Sequence, residues 1–158
     1  MKAYSVNEIQ KELKELPPKE VVAFTSRLAK FKKENKELLT YLLYYSNDEE
    51  GFVSMVKEEA EADFQEVNRT SLYFAKKTIR KILRKINKYS RYSGKDRTEL
   101  ELRIFFCELL KNSGLDFQES KVILNMYDGQ LKKINTLFNR LHEDLKYDFQ
   151  SSIEALNF

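Results

Sequence analysis

Few side chains in this sequence are suited to acid–base, nucleophilic or metal chemistry. Cys107 is the only cysteine and His142 is the only histidine. A zinc site of the usual Cys/His kind, or a di-iron site with two histidines, therefore cannot be built within one chain. Cys107 follows two phenylalanines in an apolar segment, which predicts a small core residue with an inert thiol. His142 precedes Glu143 and Asp144, but its place at the edge of an apolar stripe favours a histidine packed against the core over an acid–base catalyst.

The carboxylates between residues 48 and 66 are the remaining candidates for metal chemistry. Helical spacing places several of them on shared faces, and the set consists of Glu58, Glu59, Glu61, Asp63 and Glu66. This spacing resembles that of all-α nucleotide pyrophosphatases that bind magnesium, but those enzymes pair it with acids on the next helix, and residues 67–95 contain none. The four glycines are scattered and form no phosphate-binding loop. We therefore predict a protein that is not an enzyme, with no catalytic residue, no bound metal and no cofactor, and with a solvated acidic face.

The net charge of +3 conceals a strong segregation of charge. Residues 48–66 contain eight acids and one lysine, whereas residues 76–97 contain ten basic residues and one acid, Asp96. Projected on a helix, the basic residues occupy one side and apolar residues the other. The candidates for binding a partner or a nucleic acid on the basic side are Lys76, Lys77, Arg80, Lys81, Arg84, Lys85, Lys88, Arg91, Lys95 and Arg97, with Tyr73 and Tyr92.

Three interpretations of this basic helix compete. The acidic helix 48–66 packs antiparallel beside it and forms ion pairs along the shared edge. Alternatively, the basic side faces solvent and contacts nucleic-acid phosphates, with Tyr73 or Tyr92 stacking on a base. In the third interpretation it lies on an anionic membrane or on an acidic partner protein.

The elements that position these residues are all predicted to be helices, because apolar residues recur at spacings of three and four. The predicted helices cover residues 5–16, 17–31, 35–45, 48–66, 69–92, 98–111, 117–127 and 130–156. Ser5 and Glu8 form a capping-box pattern, and Pro17 and Pro18 separate the first two helices. The third helix is apolar on most sides, which predicts a central position. Gly129 is expected to end the seventh helix.

The second helix is expected to bury one side, formed by Val21, Val22, Phe24, Leu28 and Phe31. Four of these positions match the basic helix in spacing: Val21, Phe24, Leu28 and Phe31 correspond to Ile79, Ile82, Ile86 and Tyr89. This match is compatible with repeated helical hairpins, but any two amphipathic helices can be aligned in this way. The predicted fold is thus a single all-α domain, residues 1–158, of about eight helices arranged as a bundle or as a short solenoid-like stack.

The ends of the chain and its composition suggest a cytoplasmic protein. No apolar run approaches the ~18 residues that span a bilayer, the N-terminal segment has no signal-peptide core, and a lone cysteine fits a reducing compartment. Our leading functional hypothesis is a non-catalytic helical interaction domain that makes charge-directed contacts with another protein or a second copy of itself. The alternative is a protein that binds DNA or RNA through the basic side of helix 76–97.

Overall fold

All regular structure in residues 1–156 is helical, which confirms the predicted all-α class. The computed structural model describes these residues. Their eight α-helices are α1 Val6–Glu15, α2 Pro18–Phe31, α3 Lys33–Thr40, α4 Glu49–Gln65, α5 Leu72–Ser93, α6 Asp96–Lys111, α7 Lys121–Arg140 and α8 Glu143–Leu156. A π-helical turn, Tyr41–Tyr45, continues α3, and a 3-10 turn, Phe117–Glu119, precedes α7. None of the helices in this part of the chain is both long and apolar enough to cross a bilayer.

Contacts between residues cluster into two units, one of Met1–Leu43 and one that begins at Tyr44. We call them the N-terminal unit and the C-terminal unit. The expectation that the whole chain forms a single domain stays a prediction.

Local signals define the helices of the N-terminal unit. The backbone N–H of Ser5 donates to Glu8 Oε2 at 2.8 Å and the backbone N–H of Glu8 donates to Ser5 Oγ at 3.3 Å, which confirms the capping box. Pro17 and Pro18 stand between α1 and α2 as expected. Asn35 then donates its side-chain amide to the Leu28 carbonyl at 2.8 Å, so α3 is tied to the last turn of α2.

Two predictions for the N-terminal unit are wrong. The side of α2 expected to be buried is open: Val22, Phe24, Leu28 and Phe31 are all exposed, and Val21 is only half-buried. The third helix is not central either, since Tyr41 is the one buried residue among residues 1–43. The physical reason is that about 40 residues rarely supply enough chain to enclose a core. Periodicity identifies an apolar face without showing what covers it.

The core of the C-terminal unit surrounds α6, which contacts α4, α5, α7 and α8. Its buried side chains point in several directions and include Leu100, Leu102, Ile104, Phe106, Cys107 and Leu110. Helix α5 contributes Ala75, Ile79, Ile82 and Ile86, all fully buried, as its apolar pattern predicts. Helix α6, and not the predicted third helix, is therefore the central helix of the C-terminal unit.

The boundary predicted at Gly129 is wrong, because α7 runs through it to Arg140. Gly129 keeps a helical backbone without a positive φ; a glycine inside a helix costs only about 1 kcal/mol. Buried Tyr127 and Ile134 on either side anchor the helix across that point. The chain breaks instead at Leu141, whose φ of −68° and ψ of 151° are extended.

Smaller shifts affect the ends of α5 and α6. Helix α5 begins at Leu72, three residues later than predicted, since Asn68 Oδ1 accepts from the backbone N–H groups of Thr70 and Ser71 and holds a turn there. Helix α6 begins at Asp96 and not at Thr98.

Candidate interaction surfaces

The two helices of opposite charge pack against each other, as the first of the three interpretations requires. Lys85 Nζ lies 2.6 Å from Asp63 Oδ2 and 3.2 Å from Glu59 Oε2, and Lys81 Nζ lies 3.6 Å from Asp63 Oδ1. Tyr89 donates its hydroxyl to Glu59 at 3.2 Å. These contacts pair ascending positions of α5 with descending positions of α4, so the helices are antiparallel.

Electrostatics in this ion-pair cluster favour the charged forms. Burial by itself would raise the pKa of Asp63, but Lys85 and Lys81 together lower that pKa below its usual value. Burial likewise opposes a charged Lys85, yet Asp63 and Glu59 raise the pKa of Lys85.

A second cluster of polar contacts lies at the N-terminal end of α4, around Glu49. Lys95 Nζ lies 2.5 Å from Glu49 Oε2, the Thr98 hydroxyl donates to Glu49 Oε1 at 2.8 Å, and Ser93 also hydrogen-bonds to this carboxylate. Gly94 has a φ of +66° and ends α5 in the left-handed conformation that brings these groups together. Lys95 is thus paired with Glu49, although its side chain is 50% exposed.

Four of the remaining basic side chains of α5 form a separate surface, which we call the basic groove. It has a volume of about 600 Å³, and its lining residues are Tyr73, Lys76, Lys77, Arg80, Leu83, Arg84 and Asn87. Within residues 1–156, no carboxylate lies within ion-pair distance of its four cationic side chains. The basic side predicted from sequence is therefore divided into an edge paired with α4 and a groove that contains no acid.

The other basic candidates do not line this groove. Arg91 and Arg97 are exposed. Lys88 places its ammonium 5.0 Å from the ring centre of Tyr89 and 6.0 Å from that of Tyr92. Tyr92 packs against Tyr89, with ring centres 5.9 Å apart, so only Tyr73 of the two predicted stacking residues lines the groove.

The acidic candidates are divided in the same way. Glu59 and Asp63 are turned toward α5, whereas Glu58, Glu61 and Glu66 are exposed. Among residues 1–156, no group of three or more His, Cys, Asp or Glu side chains is arranged to hold a metal ion.

The two residues considered for catalysis differ in exposure to solvent. Cys107 is fully buried, as predicted, and burial raises the pKa of its thiol to about 12. The prediction that His142 packs against the core is wrong. It lies in the exposed break between α7 and α8, where its Nδ1 is 3.2 Å from an Asp144 oxygen and its side chain is 77% exposed.

An exposed apolar surface on the N-terminal unit was not among the predicted sites. Helices α1, α2 and α3 bury no residue at all, and we call their uncovered side the N-terminal apolar surface. Its exposed members are Val6, Ile9, Leu13, Phe24, Leu28 and Phe31, whereas exposed Val22 projects from the opposite side of α2. A groove of about 560 Å³ between α1 and α2 belongs to this surface and is lined mainly by Tyr4, Ile9, Leu13, Leu16 and Phe24. The signal for it in the sequence is the shortness of α1 and the Pro17–Pro18 break, which leave few residues to cover so many apolar ones.

A buried arginine was also missed by sequence reasoning. Arg103 on α6 is only 4% exposed, and its guanidinium donates to Glu99, to Gln130 of α7 and to Asn87 of α5. Each of the three guanidinium nitrogens therefore donates at least one hydrogen bond, as a buried charge requires. Arg103 therefore ties α5, α6 and α7 together, and it does so directly behind Asn87 of the basic groove.

Comparisons with known proteins found no matching family model, no matching curated protein and no matching solved structure. The two open surfaces, one apolar and one basic, are thus the basis for any functional conclusion.

Proposed function

We propose that this chain is a non-catalytic interaction domain that associates with a second copy of itself through the N-terminal apolar surface. The observation that carries the proposal is that α1, α2 and α3 contain no buried residue although α2 exposes Leu28 by 61% and Phe31 by 76%. Contiguous apolar patches of this kind mark interaction sites.

Helix energetics support the need for a covering partner. Isolated helices shorter than about 12–15 residues are marginal in water, and most helical stability in proteins comes from packing an amphipathic face. Helix α1 has only 10 residues, so it is not long enough to persist on propensity alone. Burial of the apolar surface in an assembly supplies the missing stabilisation.

The apolar character of this surface favours a second copy as the partner. The groove between α1 and α2 is apolar, and Ile9 and Leu13 in its wall continue to exposed Val6 along α1. Two such surfaces can cover each other across a two-fold axis, because the same apolar patch is then buried on both copies.

Charge also favours a protein over a polyanion or an anionic membrane at this surface. The polar residues of α1 and α2 carry both signs: Glu8, Lys11, Glu12, Lys14 and Glu15 on α1, and Lys19, Glu20, Arg27 and Lys30 on α2. Two copies can therefore meet without a large excess of like charge. The proposal keeps the interaction domain expected from the sequence, but it moves the contact from the charged helices to the apolar ones. A cytoplasmic location stays a prediction.

Sedimentation velocity over a wide range of concentration tests the proposal. The wild-type chain should shift from monomer to dimer as concentration rises, and the Leu28→Glu/Phe31→Glu variant should remain a monomer. Ala23→Glu is the matched control for each added charge, since Ala23 is exposed on the side of α2 that carries Lys19 and Lys30, and it should dimerise like the wild type. A wild-type chain that is monomeric throughout overturns the proposal, as does dimerisation that survives the double substitution. Sedimentation with anionic and neutral vesicles separates membrane binding, which would likewise contradict it.

A further inference from the structure

The basic groove of α5 has no part in the proposed self-association and points to a different ligand. Lys76, Lys77, Arg80 and Arg84 lie within about two turns of one helix, and no acid among residues 1–156 compensates them by an ion pair. The adjacent Lys81 and Lys85 are compensated by Asp63 and Glu59. Like charges at i,i+4 repel, so the first group retains a repulsion that the second does not.

The shape of the groove suits an extended polyanion better than a single phosphate. Its lining runs from Tyr73 to Asn87 along one helix, which corresponds to about 21 Å at 1.5 Å per residue. Lys76, Arg80 and Arg84 follow one another at intervals of about 6 Å along the axis. Exposed Arg91 prolongs the same side of α5.

Aromatic side chains stand at one end of this row. Tyr73 is 70% exposed, and its ring lies 5.3 Å from that of exposed Phe74 in an edge-to-face arrangement. Lys76 Nζ lies 4.9 Å from the centre of the Tyr73 ring. Exposed aromatic faces beside a cationic groove are the recurrent means of binding single-stranded nucleic acid without sequence preference.

A membrane surface is disfavoured by the packing of α5. An amphipathic helix on a bilayer must insert its apolar face, but the apolar face of α5 is occupied: Ile79, Ile82 and Ile86 are fully buried in the C-terminal unit. An acidic protein could form ion pairs with the cations, but its carboxylates would offer no ring to stack on the exposed Tyr73 and Phe74.

We infer that the basic groove binds single-stranded nucleic acid, with Lys76, Lys77, Arg80 and Arg84 contacting phosphates and Tyr73 stacking on a base. Recognition of this kind reads the backbone and not the sequence. The inference stands independently of the proposed dimer, because it uses only side chains of α5.

Fluorescence anisotropy with labelled oligothymidylate and oligouridylate tests the site on the full chain. Wild-type protein should bind at low salt, and Arg80→Gln/Arg84→Gln should weaken binding more than tenfold and reduce the slope of log K against log salt by roughly 1.4, the value for two lost single-strand phosphate contacts. Lys132→Gln/Lys133→Gln is the matched control, since it removes two exposed charges from α7, and it should bind like the wild type apart from a small general effect.

A second variant separates stacking from simple charge attraction. Tyr73→Ala should weaken binding about fivefold or more while leaving the salt slope unchanged, because it removes a ring and no charge. Circular dichroism should show that each variant remains folded, as all the altered side chains lie on the surface.

Three results would overturn the inference. The first is a wild-type chain that does not bind either oligonucleotide at low salt. The second is a double variant that binds as tightly as its control. The third is competition by polyglutamate as effective as competition by unlabelled oligonucleotide, which would assign the groove to an acidic protein segment.

Discussion

Helices α2 and α5 carry apolar residues at the same spacing but place them in opposite environments. In α5, Ile79, Ile82 and Ile86 are fully buried, whereas the corresponding Phe24 and Leu28 of α2 are exposed. The comparison teaches that an apolar pattern defines a face of a helix and does not determine what covers it.

The difference between the two helices lies in their neighbours. Helix α5 contacts α4, α6 and α7; its paired lysines add polar contacts to α4, and Asn87 adds one to α6. Helix α2 has extensive contacts only with α3. Among the described side chains, that of Asn35 makes the one hydrogen bond between these two helices. The same pattern therefore builds a core in one unit and an open surface in the other, and this weighs against a true internal repeat.

The largest expected effect comes from placing a carboxylate at equivalent positions of the two helices. Ile86→Glu should destabilise the C-terminal unit by more than about 4 kcal/mol, because it buries an unpaired charge at a site without solvent. Leu28→Glu should change the free energy of unfolding of the monomer by no more than about 0.5 kcal/mol, as expected for an exposed site. Urea unfolding followed by circular dichroism, at concentrations where the chain is monomeric, measures both.

Equal costs at the two positions would contradict the comparison. A large loss for Leu28→Glu in the monomer would mean that the α2 face is covered within the chain. A small loss for Ile86→Glu would mean that the α5 face is open to water.

A second effect, somewhat smaller, concerns the polar tie that keeps α5 in place. Arg103→Leu leaves Glu99 and Gln130 without their buried donor and should destabilise the C-terminal unit by about 3–5 kcal/mol. Arg97→Leu is the matched control, because Arg97 is exposed on the same helix, and it should cost no more than about 0.5 kcal/mol. Thermal unfolding of both variants distinguishes them.

If Arg103→Leu melted like Arg97→Leu, the network through Asn87 and Gln130 would contribute nothing to the fixed position of α5. The contrast with α2 would then rest on apolar packing alone.

The elements of the C-terminal unit were largely predictable because local signals and burial agree there. The apolar positions of α5 repeat every three to four residues and meet a neighbour on that side, so the predicted face is the buried face. The opposite charges of α4 and α5 already suggested their antiparallel pairing, and Asp63, Glu59 and Lys85 form it. What sequence alone could not provide is the division of the basic side, since the edge nearest to α4 depends on how α5 rotates about its axis.

The errors have identifiable physical causes. Gly129 resembles a helix stop, but burial of Tyr127 and Ile134 on the same helix outweighs its low propensity. Arg103 resembles any surface arginine, although α6 is buried on nearly all sides and leaves it no route to solvent. The open face of α2 was misjudged because amphipathicity was taken to imply a covered face.

The smallest expected effect compares the N-terminal caps of the two units. Ser5 caps α1 by accepting from the Glu8 backbone N–H, and Asp48 caps α4 by accepting from the Gly51 backbone N–H at 3.0 Å. Alanine at either position should remove about 1 kcal/mol of helix stability. The consequence should differ between the two helices. Helix α4 buries Phe52 and Val53 one turn after its cap, so the loss should lower the stability of the whole unit, whereas α1 buries nothing and should only fray.

Hydrogen exchange read by mass spectrometry should resolve that difference. Ser5→Ala should accelerate exchange within residues 6–15 only, without lowering the unfolding midpoint of the C-terminal unit, and Ser5→Thr should restore protection by restoring the cap. Asp48→Ala should lower that midpoint with little selective fraying of α4. Association should protect α1, so the effect of Ser5→Ala should shrink as protein concentration rises. A Ser5→Ala effect that is independent of concentration and shared by the C-terminal unit would show that α1 is held by packing within its own chain and not by a partner copy.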